Sequence, residues 1–95
     1  MSAFLIADTE IHDPTVYDEY KRRVLPTIQK FGGRFLVRGG QHEVLEGSWR
    51  PHRLVVIEFP DMAQLRAWYS SPEYAPLLVL RQPAGRDHLV AVEGS

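Results

Sequence analysis

Cysteine is absent from the 95 residues of this sequence. Its absence excludes disulfide bonds, thiolate nucleophiles and cysteine-ligated metal sites. The sequence also has no apolar run that approaches the roughly 20 residues needed for a membrane-spanning helix. Its first residues lack the basic and long apolar segments of a secretion signal. We therefore expect a cytoplasmic protein that does not bind membranes.

An excess of charge is also missing, because 11 basic residues stand against 12 acidic ones and the net charge is −1. Such a balance provides no long-range attraction for polyanions. The densest basic cluster, Lys21-Arg22-Arg23, follows Asp18 and Glu19. On a helix these acidic side chains would lie one turn from the arginines and offset their charge. We therefore predict no binding of nucleic acid.

The four histidines show no metal-binding spacing; they are His12, His42, His52 and His88. None forms a pair two or four positions apart, so we predict no metal site and no bound cofactor. Haem stays open as an alternative, because it requires only one histidine ligand.

The apolar residues, 44% of the chain, are sufficient for a core, and the length suits one domain, residues 1–95. Ala3 to Ala7 are all apolar, which predicts a strand buried on both faces. Asp13-Pro14 is typical of a helix start, and Gly32-Gly33 predicts the end of that helix. Pro26 lies inside this helix and predicts a kink.

The middle of the chain has strand character from Arg34 to Glu46, interrupted by Gly39-Gly40. The glycine pair predicts either a tight hairpin turn or a bulge in one long bent strand. We favour the bulge, because residues 47–52 form a better loop. Arg53 to Phe59, which contains Leu-Val-Val-Ile, predicts the next strand.

Two helical segments and a final strand complete the pattern. Asp61 and Gln64 resemble a capping box at the start of a helix. Ser71-Pro72 predicts the start of a second helical segment, whose first turn Pro76 should make irregular. His88 to Val92 predicts the last strand.

The resulting order, β-α-β-β-α-β, predicts an α+β, ferredoxin-like fold with an antiparallel sheet and both helical layers on one face. The strands at 3–7, 54–57 and 89–92 are apolar at consecutive positions, so both faces of the sheet require burial. One chain has no element left for the second face. We therefore predict a homodimer that packs sheet against sheet.

Several stretches together resemble domain-of-unknown-function family 1330; they lie at residues 32–40, 43–49, 55–60 and 67–74. This resemblance implies a dimeric α+β barrel. The wider group includes cofactor-independent monooxygenases, lactone isomerases and haem enzymes, so the resemblance does not define one activity. Pro76 departs from the regular helix of similar proteins.

Glu58 and Arg38 are the candidate catalytic residues. Glu58 ends the most apolar strand, and a buried carboxylate must be paired or protonated. Arg38 precedes the glycine pair, where a ligand can approach the backbone, and its guanidinium could hold a carboxylate. The two residues could form a pocket pair or a structural ion pair.

The candidate ligand-binding residues are aromatic or basic: Trp49, Tyr74, Arg81 and Tyr20. Trp49 lies in a polar loop, where its indole could pack on the sheet, on the partner chain or on a ligand. Arg81 follows Tyr74 by seven residues and so lies on nearly the same helix face.

These residues lead to one main functional hypothesis and two alternatives. The main hypothesis is a small, partly apolar organic ligand, bound or transformed without a cofactor. The first alternative is a non-catalytic dimerisation module, and the second is a haem-dependent enzyme.

Overall fold

Seven helices and strands are present in the computed structural model, which describes residues 1–95. In chain order they are β1 (Ala3–Ile11), α1 (Pro14–Lys30), β2 (Arg34–Arg38), β3 (Leu54–Phe59), α2 (Met62–Tyr69), α3 (Ala75–Arg81) and β4 (Gly85–Glu93). A short 3-10 turn, Gln82–Ala84, joins α3 to β4. No helix has the length and apolar character needed to cross a bilayer.

The four strands form one sheet in the order β2-β3-β1-β4, and every neighbouring pair is antiparallel. This topology confirms the ferredoxin-like prediction. Strands β1 and β4 are longer than predicted, because they stay in register from Ala3 opposite Glu93 to Ile11 opposite Gly85. Polar residues therefore continue both strands beyond their apolar segments.

The predicted ends of α1 are confirmed. The Asp13 side chain accepts a hydrogen bond from the backbone N–H of Val16 at 3.2 Å, which satisfies one free donor of the first turn. At the other end Gly32 adopts φ +79°, and the N–H of Gly33 donates to the carbonyl of Ile28 at 3.0 Å. This six-to-one bond is part of a Schellman motif. Pro26 lies inside the helix, which continues through it.

The second predicted strand was too long. β2 ends at Arg38, and the bulge lies between Phe35 and Val37 instead of at the glycine pair. Gly39 takes a left-handed φ of +73° and ends the strand. A Cβ at Gly39 would lie 2.6 Å from Nε of Arg53. Glycine is therefore required here by both the backbone and the neighbouring arginine.

The second helical segment also begins later than predicted. α3 starts at Ala75, and Pro76 lies in its first turn, where its missing N–H costs no helical hydrogen bond. Residues 71–74 form a separate turn, in which the Ser71 hydroxyl accepts a hydrogen bond from the N–H of Tyr74 at 3.1 Å. This bond places Tyr74 under the sheet before the helix starts.

The core lies between the sheet and the helices. Alternate residues of β1 and β3 face the helices and are buried, whereas their neighbours face the other side. The largest fully buried side chains are Trp68, Tyr74, Phe59 and Ile28.

The opposite face of the sheet carries no helix and is largely apolar at its centre. On this face Phe4 of β1 lies opposite Val92 of β4. Ile6 of β1 lies between Val90 of β4 and Val56 of β3. Val90 is 60% exposed and Val92 44% exposed. We call these five residues the open-face patch.

Candidate functional site

A cavity of about 40 Å³ lies between the sheet and the helices, and 12 of its 18 lining residues are hydrophobic. A water molecule needs at least roughly 10–15 Å³, so the cavity has room for two or three waters. Polar side chains from most elements reach it; those used below are Thr9, Tyr17, Tyr20, Arg53, Tyr74, Arg81 and Asp87. Such convergence of polar groups in an apolar cavity is typical of a binding site.

A buried ion pair joins α3 to β4 at this cavity. Nη1 of Arg81 lies 2.6 Å from Oδ2 of Asp87, and the two side chains are only 6% and 8% exposed. The hydroxyl of Thr9, directly opposite Asp87 in the sheet, donates to its Oδ1 at 2.7 Å. The carboxylate therefore has partners on both oxygens, as burial of a charge requires.

Two tyrosines extend this network into the helical layer. Nε of Arg81 donates to the hydroxyl oxygen of Tyr74 at 3.2 Å, and that oxygen lies 2.9 Å from the hydroxyl of Tyr20. The two hydroxyls carry two protons, but only one proton can lie between them. No protein acceptor lies in hydrogen-bonding reach for the other. One phenolic donor at the cavity is thus free for a water or a ligand oxygen.

Burial sets the protonation states of these groups. It raises the pKa of Tyr20 and of Tyr74, the latter although Arg81 acts to lower it. Burial alone would lower the pKa of Arg81, but the neighbouring Tyr74 and Asp87 outweigh it and raise that pKa. At neutral pH the tyrosines are therefore neutral donors and the guanidinium is charged.

An open, strongly basic depression adjoins the cavity, and we call it the basic mouth. Its volume is about 410 Å³, and its lining consists of Asp18, Lys21, Arg22, Arg38 and Arg53. Three of these residues, Lys21, Arg38 and Arg53, also line the cavity. The mouth and the cavity are therefore adjacent and share these three side chains.

Contacts with the scaffold orient two of the arginines. Nη2 of Arg38 donates to the backbone carbonyl of Lys21 at 2.8 Å, and its guanidinium lies 4.2 Å from the ring centre of Phe35. Nη1 of Arg53 donates to the hydroxyl of Tyr17 at 3.0 Å. Both guanidinium groups keep further N–H donors for a ligand.

The predicted pairing of Glu58 with Arg38 is wrong. Glu58 faces the helix-free side and pairs with Arg34, whose Nη2 lies 2.8 Å from its Oε1. This hydrogen-bonded pair holds the pKa of Glu58 below its ordinary value. The bulge after Phe35 explains the error: it shifts the alternation by one residue, so Arg38 lies opposite Val55 and faces the helices.

Trp49 also lies away from the cavity, although it was a candidate ligand-binding residue. Its indole Nε1 donates to Oδ2 of Asp8 at 3.0 Å, and the N–H of His52 donates to Oδ1 at 2.8 Å. Burial would raise the pKa of Asp8, but these hydrogen bonds outweigh it and lower the pKa. Asp8 thus anchors the loop before β3 on its own sheet through hydrogen bonds, while Trp49 stays 60% exposed.

Of the candidate residues, Tyr20, Tyr74, Arg81 and Arg38 converge on the cavity. The sequence interpretation missed the acidic partner of Arg81. A signal was present, because a basic residue on a buried helix face requires a carboxylate. The register that selects Asp87 exists only in the folded sheet.

The structure contains no cluster of three or more histidine, aspartate or glutamate residues that could hold a metal ion. None of the four histidines lines the cavity. A haem held by a histidine therefore does not fit this cavity, whose volume of about 40 Å³ is also far too small for a haem.

The sheet order and the one-sided helical layer define an antiparallel, ferredoxin-like α+β protein. The chain belongs to the family described as a domain of unknown function, DUF1330, whose model matches residues 2–95. No protein with a curated description matches the chain significantly.

Solved structures share this fold at low sequence identity. A protein of unknown function from Rhodopseudomonas palustris is 18% identical, with a TM-score of 0.78 and 99% of this chain and 82% of that chain covered. A dimeric ferredoxin-like protein of unknown function from Jannaschia sp. is 14% identical, with a TM-score of 0.72 and 99% and 100% covered. SnoaB, a cofactor-independent oxygenase from Streptomyces nogalater, is 11% identical, with a TM-score of 0.68 and 99% and 93% covered.

Proposed function

We propose that the protein is a homodimer that binds a small, partly apolar organic ligand between sheet and helices without a bound cofactor. The observation that carries this proposal is the free phenolic donor of the Tyr20–Tyr74 pair in a cavity whose lining is two-thirds hydrophobic. A ligand oxygen that accepts this proton would gain a directed hydrogen bond in a largely apolar environment.

The open-face patch supports the dimer. Exposed apolar side chains at the centre of a sheet are a typical protein interface, and the similar protein from Jannaschia sp. is dimeric. A specific interface should bury more than roughly 1,000 Å² in total. We expect light scattering to give twice the chain mass of 10.9 kDa.

A matched pair of variants locates the interface. Val90→Lys introduces a charge into the open-face patch and should shift the protein to monomer. Val79→Lys makes the same change on the outer face of α3, where Val79 is 71% exposed, and should leave the dimer intact. A wild-type monomer, or equal effects of both variants, would contradict the proposed interface.

Ligand binding is tested by thermal shift with a library of small organic molecules. A ligand that binds only the folded state raises the melting temperature. Ala7 lines the cavity, so Ala7→Val should fill it and abolish the shift. Ala91→Val, the same change at an exposed position of the sheet, should keep it.

The small volume of the cavity favours one other function, a non-catalytic dimerisation module. In that case the protein would be a dimer, and no library member would raise its melting temperature. The main proposal extends to an enzyme if the protein also transforms the ligand that it binds. SnoaB, a cofactor-independent oxygenase of similar fold, makes oxygen consumption with any identified ligand the first activity to measure.

A further inference from the structure

The basic mouth has a charge that the composition of the chain does not suggest. Four cationic residues and one carboxylate line it, so it carries about three positive charges on a chain whose net charge is −1. Lys21 is paired with Asp18 at 3.3 Å. No carboxylate lies within 4 Å of Arg22, Arg38 or Arg53.

Structural pairing does not account for this concentration of charge. Three of the six arginines outside the mouth have acidic partners, Arg23 with Glu19, Arg34 with Glu58 and Arg81 with Asp87, and the three without one are scattered along the chain at Arg50, Arg66 and Arg86. Like charges placed together repel one another and destabilise the fold unless a counter-ion is present. A bound anion would therefore reduce the repulsion between the cationic side chains of the mouth.

The scaffold maintains this arrangement. Gly39 leaves the space that Nε of Arg53 occupies, and Tyr17 holds the tip of the same guanidinium. The ring of Phe35 and the carbonyl of Lys21 hold Arg38. Guanidinium groups held in this way present planar donor pairs, which match a carboxylate better than a lysine would.

We propose that the ligand is a small organic carboxylate that also carries an acceptor oxygen, such as a ketone. This inference rests on the proposed function and names its ligand class. The carboxylate binds Arg38 and Arg53 in the basic mouth. The apolar part enters the cavity, and the second oxygen accepts the free proton of the Tyr20–Tyr74 pair. Because the cavity is small, only the tip of the ligand is enclosed.

Three compounds of one skeleton test both contacts. Laevulinate has a carboxylate and a ketone, valerate lacks the ketone, and laevulinamide lacks the charge. We expect laevulinate to bind with the lowest Kd by titration calorimetry. Valerate should bind roughly 2- to 10-fold more weakly, the effect of one neutral hydrogen bond, and laevulinamide roughly 10- to 100-fold more weakly, the effect of a charged one.

Arginine variants identify the carboxylate site. Arg38→Gln and Arg53→Gln should each weaken laevulinate binding about 10-fold and weaken laevulinamide binding less, because the neutral amide forms no ion pair with either arginine. Arg23→Gln, one residue beyond the mouth and paired with Glu19, is the matched control and should change neither Kd.

The outcomes separate this inference from the proposed function. If amides bind as tightly as acids across the library, or if laevulinamide equals laevulinate, the carboxylate assignment is wrong while the binding function stands. If valerate equals laevulinate, the assignment of the tyrosine pair is wrong. If no library member and none of the three compounds binds, the proposed function and this inference both fail.

Discussion

The Arg81–Asp87 ion pair should be the most sensitive polar interaction in the fold. Both side chains are more than nine-tenths buried, so removing one partner leaves the other charge without compensation. Asp87→Asn and Arg81→Met should each lower the free energy of unfolding by about 3–5 kcal/mol, the range for broken buried pairs. A domain of this size has about 5–15 kcal/mol in total, so either variant should be close to unfolding.

The double variant Arg81→Met/Asp87→Leu removes both charges together. Replacement of a buried pair by apolar residues is often neutral, but the Thr9 hydroxyl then loses its acceptor, which costs about 1–3 kcal/mol. We therefore expect the double variant to lower the free energy of unfolding by about 1–3 kcal/mol, which is no more than the loss in either single variant. The coupling energy of the cycle should be at least about 3 kcal/mol.

Urea denaturation followed by circular dichroism measures all four proteins. The protein concentration must be the same throughout, because dissociation of a dimer contributes to its stability. Glu19→Gln, which breaks the exposed pair with Arg23, is the control and should cost about 0.3–0.5 kcal/mol. Additive single effects, or single losses no larger than the control, would refute the argument from burial.

Three further predictions concern single sites. Gly39→Ala should lower the free energy of unfolding by more than about 1 kcal/mol in urea denaturation, because φ is +73° and the methyl group would meet Arg53. Asp8→Asn should change the Trp49 fluorescence and make the stability less sensitive to acid. Because the pKa of Asp8 is lowered in the folded protein, this carboxylate stabilises the fold at pH values above its ordinary pKa of 3.8, and that stabilisation is lost as the pH falls through the folded pKa. Because the pKa of Tyr20 is raised in the folded protein, the unfolded chain ionises first, and the fold should lose stability as the pH rises above 10.0. Tyr20→Phe should reduce that loss. An unchanged pH profile of either variant would contradict the assignment.

The order of the elements and their capped ends could be predicted from the amino-acid sequence alone. Asp13-Pro14 and Gly32-Gly33 act through the local backbone, because capping and left-handed φ involve only residues within a turn or two. The consecutive apolar residues of the central strands predicted a sheet with two faces to bury. The spacing of Tyr74 and Arg81 predicted that the two side chains would lie together, and both reach the cavity although α3 begins only at Ala75.

The pairing of the polar residues, in contrast, depends on the folded sheet. One bulged residue between Phe35 and Val37 moved Arg38 to the helical side of the sheet, away from Glu58. No local pattern marks that residue, because a bulge depends on the register between two strands. The partner of Arg81 was likewise set by long-range register, which places Asp87 opposite Thr9, 78 positions away in the chain. Features formed by residues close together in the chain, such as helix ends, can therefore be predicted from the sequence, whereas a site assembled across strands depends on strand register.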